Sequence, residues 1–184
     1  MGEKNYNDLK AHYKSFRIIL DALKLTNTDT YLEIGCGGGA LLQMALGIVD
    51  RGAAIDHSPD MIEATRNKLQ DISPDRIDLV TGDAVRLPWG NKRFSAVASA
   101  NMFFFVEEPQ RVLNEIFRVL RPGGRFAMVT MGNGILGKIT FGWLYSLKTY
   151  SDNAMTMMLK QAGFTTVKVK SGMSSLQMCY VEKT

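Results

Sequence analysis

The sequence predicts an α/β fold in which seven short apolar strands are separated mainly by helices. Three observations support this. Short apolar and β-branched runs recur along the 184 residues, amphipathic segments alternate with most of them, and the last two runs follow each other without a helix. The last feature predicts an antiparallel pair at the C-terminal end. The strands are predicted at Tyr31–Ile34, Gly52–Asp56, Ile77–Val80, Phe94–Ala100, Arg125–Met131, Phe164–Lys170 and Ser175–Glu182.

Helix signals lie between these strands. Before the first strand, apolar residues recur at steps of three and four from Leu9 to Leu23, which predicts an amphipathic cap helix within residues 1–26. Ser58 is a predicted N-cap and Pro59 a predicted first helical residue. Further helices are predicted at 40–48, 109–120 and 151–162, the last two ended by Pro122-Gly123-Gly124 and by Gly163.

Size and composition are typical of a single globular domain covering residues 1–184. Apolar residues make up 46% of the chain and charged residues 22%. No apolar run reaches the roughly 20 residues of a membrane span, and the polar N-terminus is unlike a signal peptide. Cys36 and Cys179 have neither metal-site nor disulfide-framework spacing. A reduced, cytoplasmic setting is expected, and the oligomeric state cannot be deduced.

The chain carries a net charge of +4. Four basic residues fall on roughly one side of the first helix: Lys10, Lys14, Arg17 and Lys24. One interpretation is a solvated helix face, and the other is a surface for an acidic substrate, nucleic acid or an anionic membrane. Since there is no basic tail or block of adjacent cations, nucleic-acid binding is disfavoured.

The most informative stretch is the turn after the first strand, Glu33-Ile34-Gly35-Cys36-Gly37-Gly38-Gly39. Glycines allow a ligand to approach the main chain closely, and a turn that opens a helix leaves free N–H groups beside it. The glycines also fit variants of the dinucleotide fingerprint. However, Glu33 is unexpected beside a pyrophosphate and suits a ligand with an amino group or a positive charge. This favours S-adenosylmethionine (SAM) over a nicotinamide.

Two further acids follow later strands. Asp56 lies 21 residues after Gly35, the distance at which an acid accepts the hydroxyls of an adenosine ribose. The alternative is an Asp that caps a helix or faces solvent. Asp83, after the third strand, could accept the adenine amino group, with the next backbone N–H donating to the ring. The alternative is a turn aspartate.

In these motifs the chain resembles class I SAM-dependent methyltransferases, and most closely the small-molecule branch called type 11. The resemblance runs from about Tyr31 to Met131. Besides the glycine turn, it rests on Asp56-His57-Ser58-Pro59, Gly82-Asp83-Ala84, Phe94–Phe105 and Arg118-Val119-Leu120-Arg121-Pro122-Gly123-Gly124. It implies a Rossmann-like three-layer sandwich, with a seven-stranded, mostly parallel sheet that has one reversed strand.

The resemblance also implies positions for SAM. Glu33 and the backbone of Gly35, Cys36 and Gly37 would hold the methionine moiety, and Asp56 would hold the ribose. The adenine would lie between His57 and Met61, with its edge on Asp83 and Ala84. Asn101 and Met102 would lie beside the sulfonium, and Asn101 is the single predicted catalytic residue. No metal site is predicted.

The acceptor is expected to be a small, partly apolar molecule. Phe103, Phe104, Trp143 and Tyr145 are predicted walls of its site, and residues 132–150 form either a substrate lid or a packing helix. Tyr6, His12 and Tyr13 could close over the ligand. If a base is needed, the candidates are His12, Tyr13, Glu107 and Tyr150.

Three departures from the family pattern matter. An Asn/Asp-Pro-Pro-Tyr/Phe signature is missing at Ser99-Ala100-Asn101-Met102, Ser95 replaces a frequent Asp, and no histidine lies near Met102–Phe104. Two alternatives stay open: a non-catalytic SAM-binding or partner-binding domain, and an NAD-type oxidoreductase.

Overall fold

The computed structural model describes residues 3–132, 147–172 and 176–184, and side chains from residue 12 onwards. All seven predicted strands are present in one sheet. They are β1 (Thr30–Ile34), β2 (Arg51–Asp56), β3 (Ile77–Thr81), β4 (Phe94–Ala100), β5 (Leu120–Met131), β6 (Thr166–Ser171) and β7 (Leu176–Glu182).

The strand order is β3-β2-β1-β4-β5-β7-β6. The first five strands pair in parallel, while β7 is antiparallel to both β5 and β6. The predicted mostly parallel sheet with a single reversed strand is therefore confirmed. Because the parallel strands share one direction, the residues after β1, β2, β3 and β4 meet at one edge of the sheet, where ligands of such sheets bind.

Within the described residues, five α-helices cover the two faces of the sheet. They are α1 (Glu3–Leu23), α2 (Ala40–Leu46), α3 (Pro59–Lys68), α4 (Pro109–Val119) and α5 (Asp152–Gln161). Apolar side chains of α1, α2 and α3 form the core on one face, and those of α4 and α5 form the core on the other. Ser58 and Ser151 cap α3 and α5 through their side chains. The result is the predicted three-layer arrangement.

One boundary differs from the prediction. Pro122-Gly123-Gly124 was expected to separate helix from strand, but β5 already begins at Leu120. The register explains this, because Phe94 pairs with Leu120 whereas Ala96 pairs with Arg125. The extra residues form a bulge, and Gly123 turns it with a φ of 74°.

Some sequence predictions lie outside the described residues. They are the structure of most of the 132–150 segment, with Phe141, Trp143 and Tyr145, and the side chains of Tyr6 and Lys10. Within the described part of the chain, no helix combines the length and the apolar character that crossing a bilayer requires.

A buried ion pair connects the start of β1 with β4 and β5. The Arg125 guanidinium donates to both carboxylate oxygens of Asp29 at 3.0 and 2.8 Å, and the Ser95 hydroxyl donates to Asp29 at 2.6 Å. Ser95, which stands where the family often has an Asp, thus helps to hold the carboxylate of Asp29. Burial alone would raise the pKa of Asp29, but the hydrogen bonds from Arg125 and Ser95 outweigh it and hold that pKa well below its usual range.

This network yields a stability prediction. We expect Asp29→Asn to lower the free energy of unfolding at pH 7 by about 3 kcal/mol, because it leaves the Arg125 charge buried without its partner. The depressed pKa of Asp29 stabilises the fold above the unfolded value of about 4, and this contribution is lost as the pH falls below it. Urea denaturation at several pH values measures the difference.

The matched control is Glu63→Gln, which breaks the exposed ion pair with Arg66 and should cost no more than about 0.5 kcal/mol. The prediction would be wrong if Asp29→Asn lowered the free energy of unfolding as little as the control does. It would also be wrong if the loss were the same at pH 3 as at pH 7.

Candidate functional site

A cavity of about 890 Å³ opens at the carboxyl edge of the parallel strands. This is within the range of small-molecule sites. All eleven residues predicted to bind the cofactor line it: Glu33, Gly35, Cys36, Gly37, Asp56, His57, Met61, Asp83, Ala84, Asn101 and Met102. The structure therefore brings these residues together, whereas their individual contacts with a cofactor stay predictions.

The turn between β1 and α2 provides a bare main-chain surface. Gly35 has a φ of 70°, and a Cβ atom on it would lie 2.4 Å from Cγ of Met102, so only glycine fits there. At Gly38, by contrast, a Cβ atom would meet no protein atom within 4 Å. The empty space beside Gly38 belongs to the cavity. A ligand can therefore reach the backbone of this turn directly.

Asp56, at the end of β2, orients the glycine turn. It is 8% exposed; one carboxylate oxygen accepts from the Gly37 N–H at 2.9 Å and the other from the Ser58 N–H at 3.0 Å. Each oxygen keeps a further lone pair for a ligand. Asp56 thus links the turn after β1 to the start of α3, so the helix-capping role that was the alternative prediction is present. The side chain also lines the cavity.

Glu33, near the end of β1, is a buried carboxylate with an unmatched oxygen. It is 2% exposed and accepts a hydrogen bond from the Leu42 backbone, but its Oε2 has no hydrogen-bond partner. Burial and the nearby charge of Asp56 raise the pKa of Glu33 well above its usual range. A buried polar atom without a partner is costly. A cationic donor in the cavity would supply the missing partner.

The end of β3 provides the next acid. Asp83 lines the cavity, and its Oδ1 accepts from the Val85 N–H at 3.0 Å. This hydrogen bond is typical of a turn aspartate, which was the alternative prediction. Asp83 also lies in the cavity, as adenine binding would require. His57 also lines the cavity, with its side chain 90% exposed, and contacts Asp56 at 3.4 Å.

The end of β4 carries Asn101, the predicted catalytic residue. Asn101 has a φ of 56°, and its backbone N–H donates to the Val129 carbonyl oxygen. Its amide Nδ2 lies 3.3 Å from Nδ1 of His12, which reaches over the cavity from α1. Of the four candidate bases, His12 and Glu107 line the cavity, whereas Tyr13 and Tyr150 do not.

The predicted aromatic walls need correction. Phe103 and Phe104 do not line the cavity, because the short helical turn at Phe103–Phe105 directs them inward, where they are 1% and 8% exposed. Phe103 packs against Tyr150 instead. Phe105, which is 61% exposed, faces the cavity. Periodicity could not identify the outward member of three adjacent aromatics.

Sequence reasoning also missed several lining residues. Phe16 belongs to the apolar pattern that predicts helix α1, and it also lines the cavity together with His12. The cavity is also lined by Val85, Val106 and Val112, whose apolar side chains look in the sequence like ordinary core residues. Cys36 lines the cavity, but burial raises the pKa of its thiol to about 12, so it is not a nucleophile at neutral pH.

The cavity lies at the topological switch point of a doubly wound sheet. There β1 and β4 are neighbours, but the chain continues from β1 to one side of the sheet and from β4 to the other. This is where sheets of this type bind nucleotide cofactors. Comparison with known proteins identifies the family. A family model described as a methyltransferase domain matches residues 32–128, more than half of the chain. The chain belongs to this family of SAM-dependent methyltransferases, and its cofactor is SAM.

Curated relatives agree. The chain is 27% identical to the demethylmenaquinone methyltransferase of Oceanobacillus iheyensis, in an alignment that covers 90% of this chain and 84% of that protein. Other methyltransferase relatives are longer, and the chain spans about half of the demethylmenaquinone methyltransferase of Symbiobacterium thermophilum.

Solved structures show the same fold. A putative methyltransferase in complex with the Haloferax volcanii activator Trm112 has a TM-score of 0.82, at 18% identity over 97% of this chain and 92% of that one. Geranyl diphosphate methyltransferase in complex with SAM has a TM-score of 0.76, at 16% identity over 92% of this chain and 84% of the other.

The residues present fit this cofactor. Glu33 is a cavity-lining acid whose Oε2 has no hydrogen-bond partner, which is compatible with a ligand that carries an amino group, and the space beside Gly38 is open. Asp56 retains acceptor capacity for hydroxyl groups.

The buried Glu33 gives a second stability prediction. Because its pKa is higher in the folded than in the unfolded chain, its contribution to stability is complete below about pH 4.3 and is lost as the pH rises through the folded-state value. Without ligand, Glu33→Gln should therefore be more stable than the wild type at pH 8, with a melting temperature about 2–6 °C higher. Calorimetry at pH 5 and pH 8 measures this, and the advantage should shrink at pH 5. Equal or lower stability of Glu33→Gln at pH 8 would show that the buried Glu33 carboxylate does not destabilise the fold.

Proposed function

We propose that the protein transfers the methyl group of SAM to a small, partly apolar acceptor by in-line displacement. The observation that carries the proposal is the pairing of a bare glycine turn with the unpartnered carboxylate oxygen of Glu33 in one cavity. This combination suits a cofactor with a cationic amino group and opposes a pyrophosphate, because an anion beside the Asp56 carboxylate would be repelled.

In this proposal each carboxylate holds one part of the cofactor. Glu33 accepts from the amino group of the methionine moiety, and Asp56 accepts from the ribose hydroxyls. Asp83 and the Ala84 N–H bind the adenine edge, while Met61 and His57 flank the ring. The backbone of Gly35, Cys36 and Gly37 supports the methionine chain.

The reacting methyl group would then lie near Asn101 and Met102, at the end of β4. A sulfonium is already an activated donor, so alignment of nucleophile, carbon and sulfur supplies much of the rate. The left-handed Asn101 places its amide beside His12, and this pair can orient a polar atom of the acceptor. His12 and Glu107 are the residues available for proton removal where the acceptor requires it.

Apolar lining residues of the same cavity support the proposed acceptor class. Phe16 on α1 and the exposed Phe105 after β4 provide apolar surface in the cavity. Relatives named for demethylmenaquinone and geranyl diphosphate act on molecules with apolar parts, which supports the same class here.

The glycine turn offers a direct test of cofactor binding. We expect Gly38→Ala to weaken SAM binding at least tenfold, because a methyl group there occupies cavity space while touching no protein atom. Gly90→Ala is the matched control, since a Cβ atom at Gly90 also meets nothing and Gly90 lies outside the cavity. Isothermal titration calorimetry measures both. Unchanged affinity in Gly38→Ala would place the cofactor elsewhere.

The reaction itself is tested with SAM labelled in the methyl group and a panel of acceptors that includes a short-chain demethylmenaquinol. We expect label transfer to an apolar member of the panel, and a loss of about 10- to 100-fold in kcat for Asn101→Ala with SAM affinity retained. SAM binding without transfer to any acceptor would favour a non-catalytic SAM-binding domain. Binding of NADH in place of SAM would reject the methyltransferase assignment.

A further inference from the structure

A second cavity of about 1290 Å³ lies on the other side of α1, between this helix and the sheet face formed by β7 and β6. On this face, α1 packs on β4 and β5, and α2 and α3 pack on β1, β2 and β3. No helix among the described residues covers β7 and β6 there. Leu176, Met178 and Tyr180 therefore form a half-buried apolar floor, which we call the β7 groove.

The rim of the β7 groove is basic. Lys14 and Lys24 border it from α1, and Lys168 and Lys170 border it from β6. All four lysines are exposed, and the Lys168 ammonium lies 5.7 Å from the ring centre of Tyr180. The groove residues include five cations and two carboxylates, Asp21 and Glu182. The groove lining is thus more basic than acidic, in a chain whose net charge is +4.

Two of the remaining charged groups are already engaged. Arg125 binds Asp29, and the Glu182 carboxylate accepts from the Tyr180 hydroxyl at 2.7 Å. With Arg125 paired to Asp29, the four lysines face the carboxylates of Asp21 and Glu182, and the groove keeps an excess of two positive charges. Long lysine side chains at the border of an apolar surface can keep their stems on that surface and hold their ammonium groups towards phosphate.

Apolar floor and cationic rim together select an anionic amphiphile. The acidic head groups of a bilayer attract clustered lysines, and an apolar groove between them can accept part of an acyl chain. A single-stranded nucleic acid would need a series of aromatic platforms, whereas the floor offers one aromatic ring among aliphatic side chains. The chemistry of the groove therefore favours lipid over nucleic acid.

We propose that the β7 groove docks the protein on the surface of an anionic phospholipid bilayer. The inference does not depend on the identity of the methyl acceptor. Helix α1 forms a wall of both cavities, with His12 and Phe16 on the cofactor side and Lys14 and Ile18 on the groove side. Docking would thus bring the acceptor side of the cofactor cavity next to an apolar phase.

Vesicle flotation tests the proposal. We expect the protein to float with vesicles of palmitoyl-oleoyl phosphatidylcholine and phosphatidylglycerol mixed three to one, and not with phosphatidylcholine alone. Binding should decrease strongly at about 0.5 M NaCl, where surface charges are screened. The double variant Lys168→Glu/Lys170→Glu should bind at least tenfold more weakly. Lys92→Glu/Lys160→Glu, which makes the same charge change outside the groove, should bind like the wild type.

Circular dichroism and SAM titration of both variants show whether the fold and the cofactor site are intact. This separates a failure of docking from a failure of the proposed methyltransferase activity. Absence of flotation with phosphatidylglycerol vesicles would overturn the proposal, as would equal loss in the two double variants. It would also be overturned if the groove lysines instead proved to mediate binding to RNA or to a second copy of the chain, as measured by RNA titration and by light scattering.

Discussion

The site depends on how two carboxylates are buried next to each other at the ends of neighbouring parallel strands. Asp56 receives two backbone N–H groups and thereby fixes the glycine turn. Glu33 receives one from Leu42 and retains an oxygen without a partner. The glycine turn lies between them, and at Gly35 a Cβ atom would overlap the Met102 side chain. The same contacts that hold this part of the fold therefore also shape the cavity, where Glu33 keeps an oxygen without a hydrogen-bond partner.

Stability and function lie at opposite ends of the strands. At the amino end of β1, the Asp29 carboxylate is fully matched by Arg125 and Ser95, and it joins β1, β4 and β5. At the carboxyl end, Glu33 is incompletely matched. Buried charges are costly unless hydrogen-bonded, so the first arrangement contributes stability, whereas the second lowers it at the edge of the sheet where the cavity opens. A parallel sheet permits this division because every loop at its carboxyl edge can carry a ligand group.

Helix α1 connects the two cavities of the molecule. One side of it brings His12 and Phe16 to the wall of the cofactor cavity, and another side borders the basic β7 groove. Its burial against β4 and β5 through residues such as Ile19 and Leu23 fixes both positions at once. An amphipathic pattern that sequence analysis assigns to packing thus also carries recognition surface on its flanks.

The sequence by itself determined the order and type of the strands, the α/β class, and the positions of Glu33, Asp56 and Asp83 at strand ends. Local patterns suffice for this, because hydrophobic periodicity, caps and glycine spacing act over a few residues. Only the tertiary structure decided which member of Phe103–Phe105 faces the cavity, that β5 begins at a bulge, and that His12 reaches Asn101. These features depend on strand register and on contacts between residues far apart in the chain. The unmatched oxygen of Glu33 belongs to the same group, because burial and hydrogen-bond supply exist only once the sheet and its helices are packed.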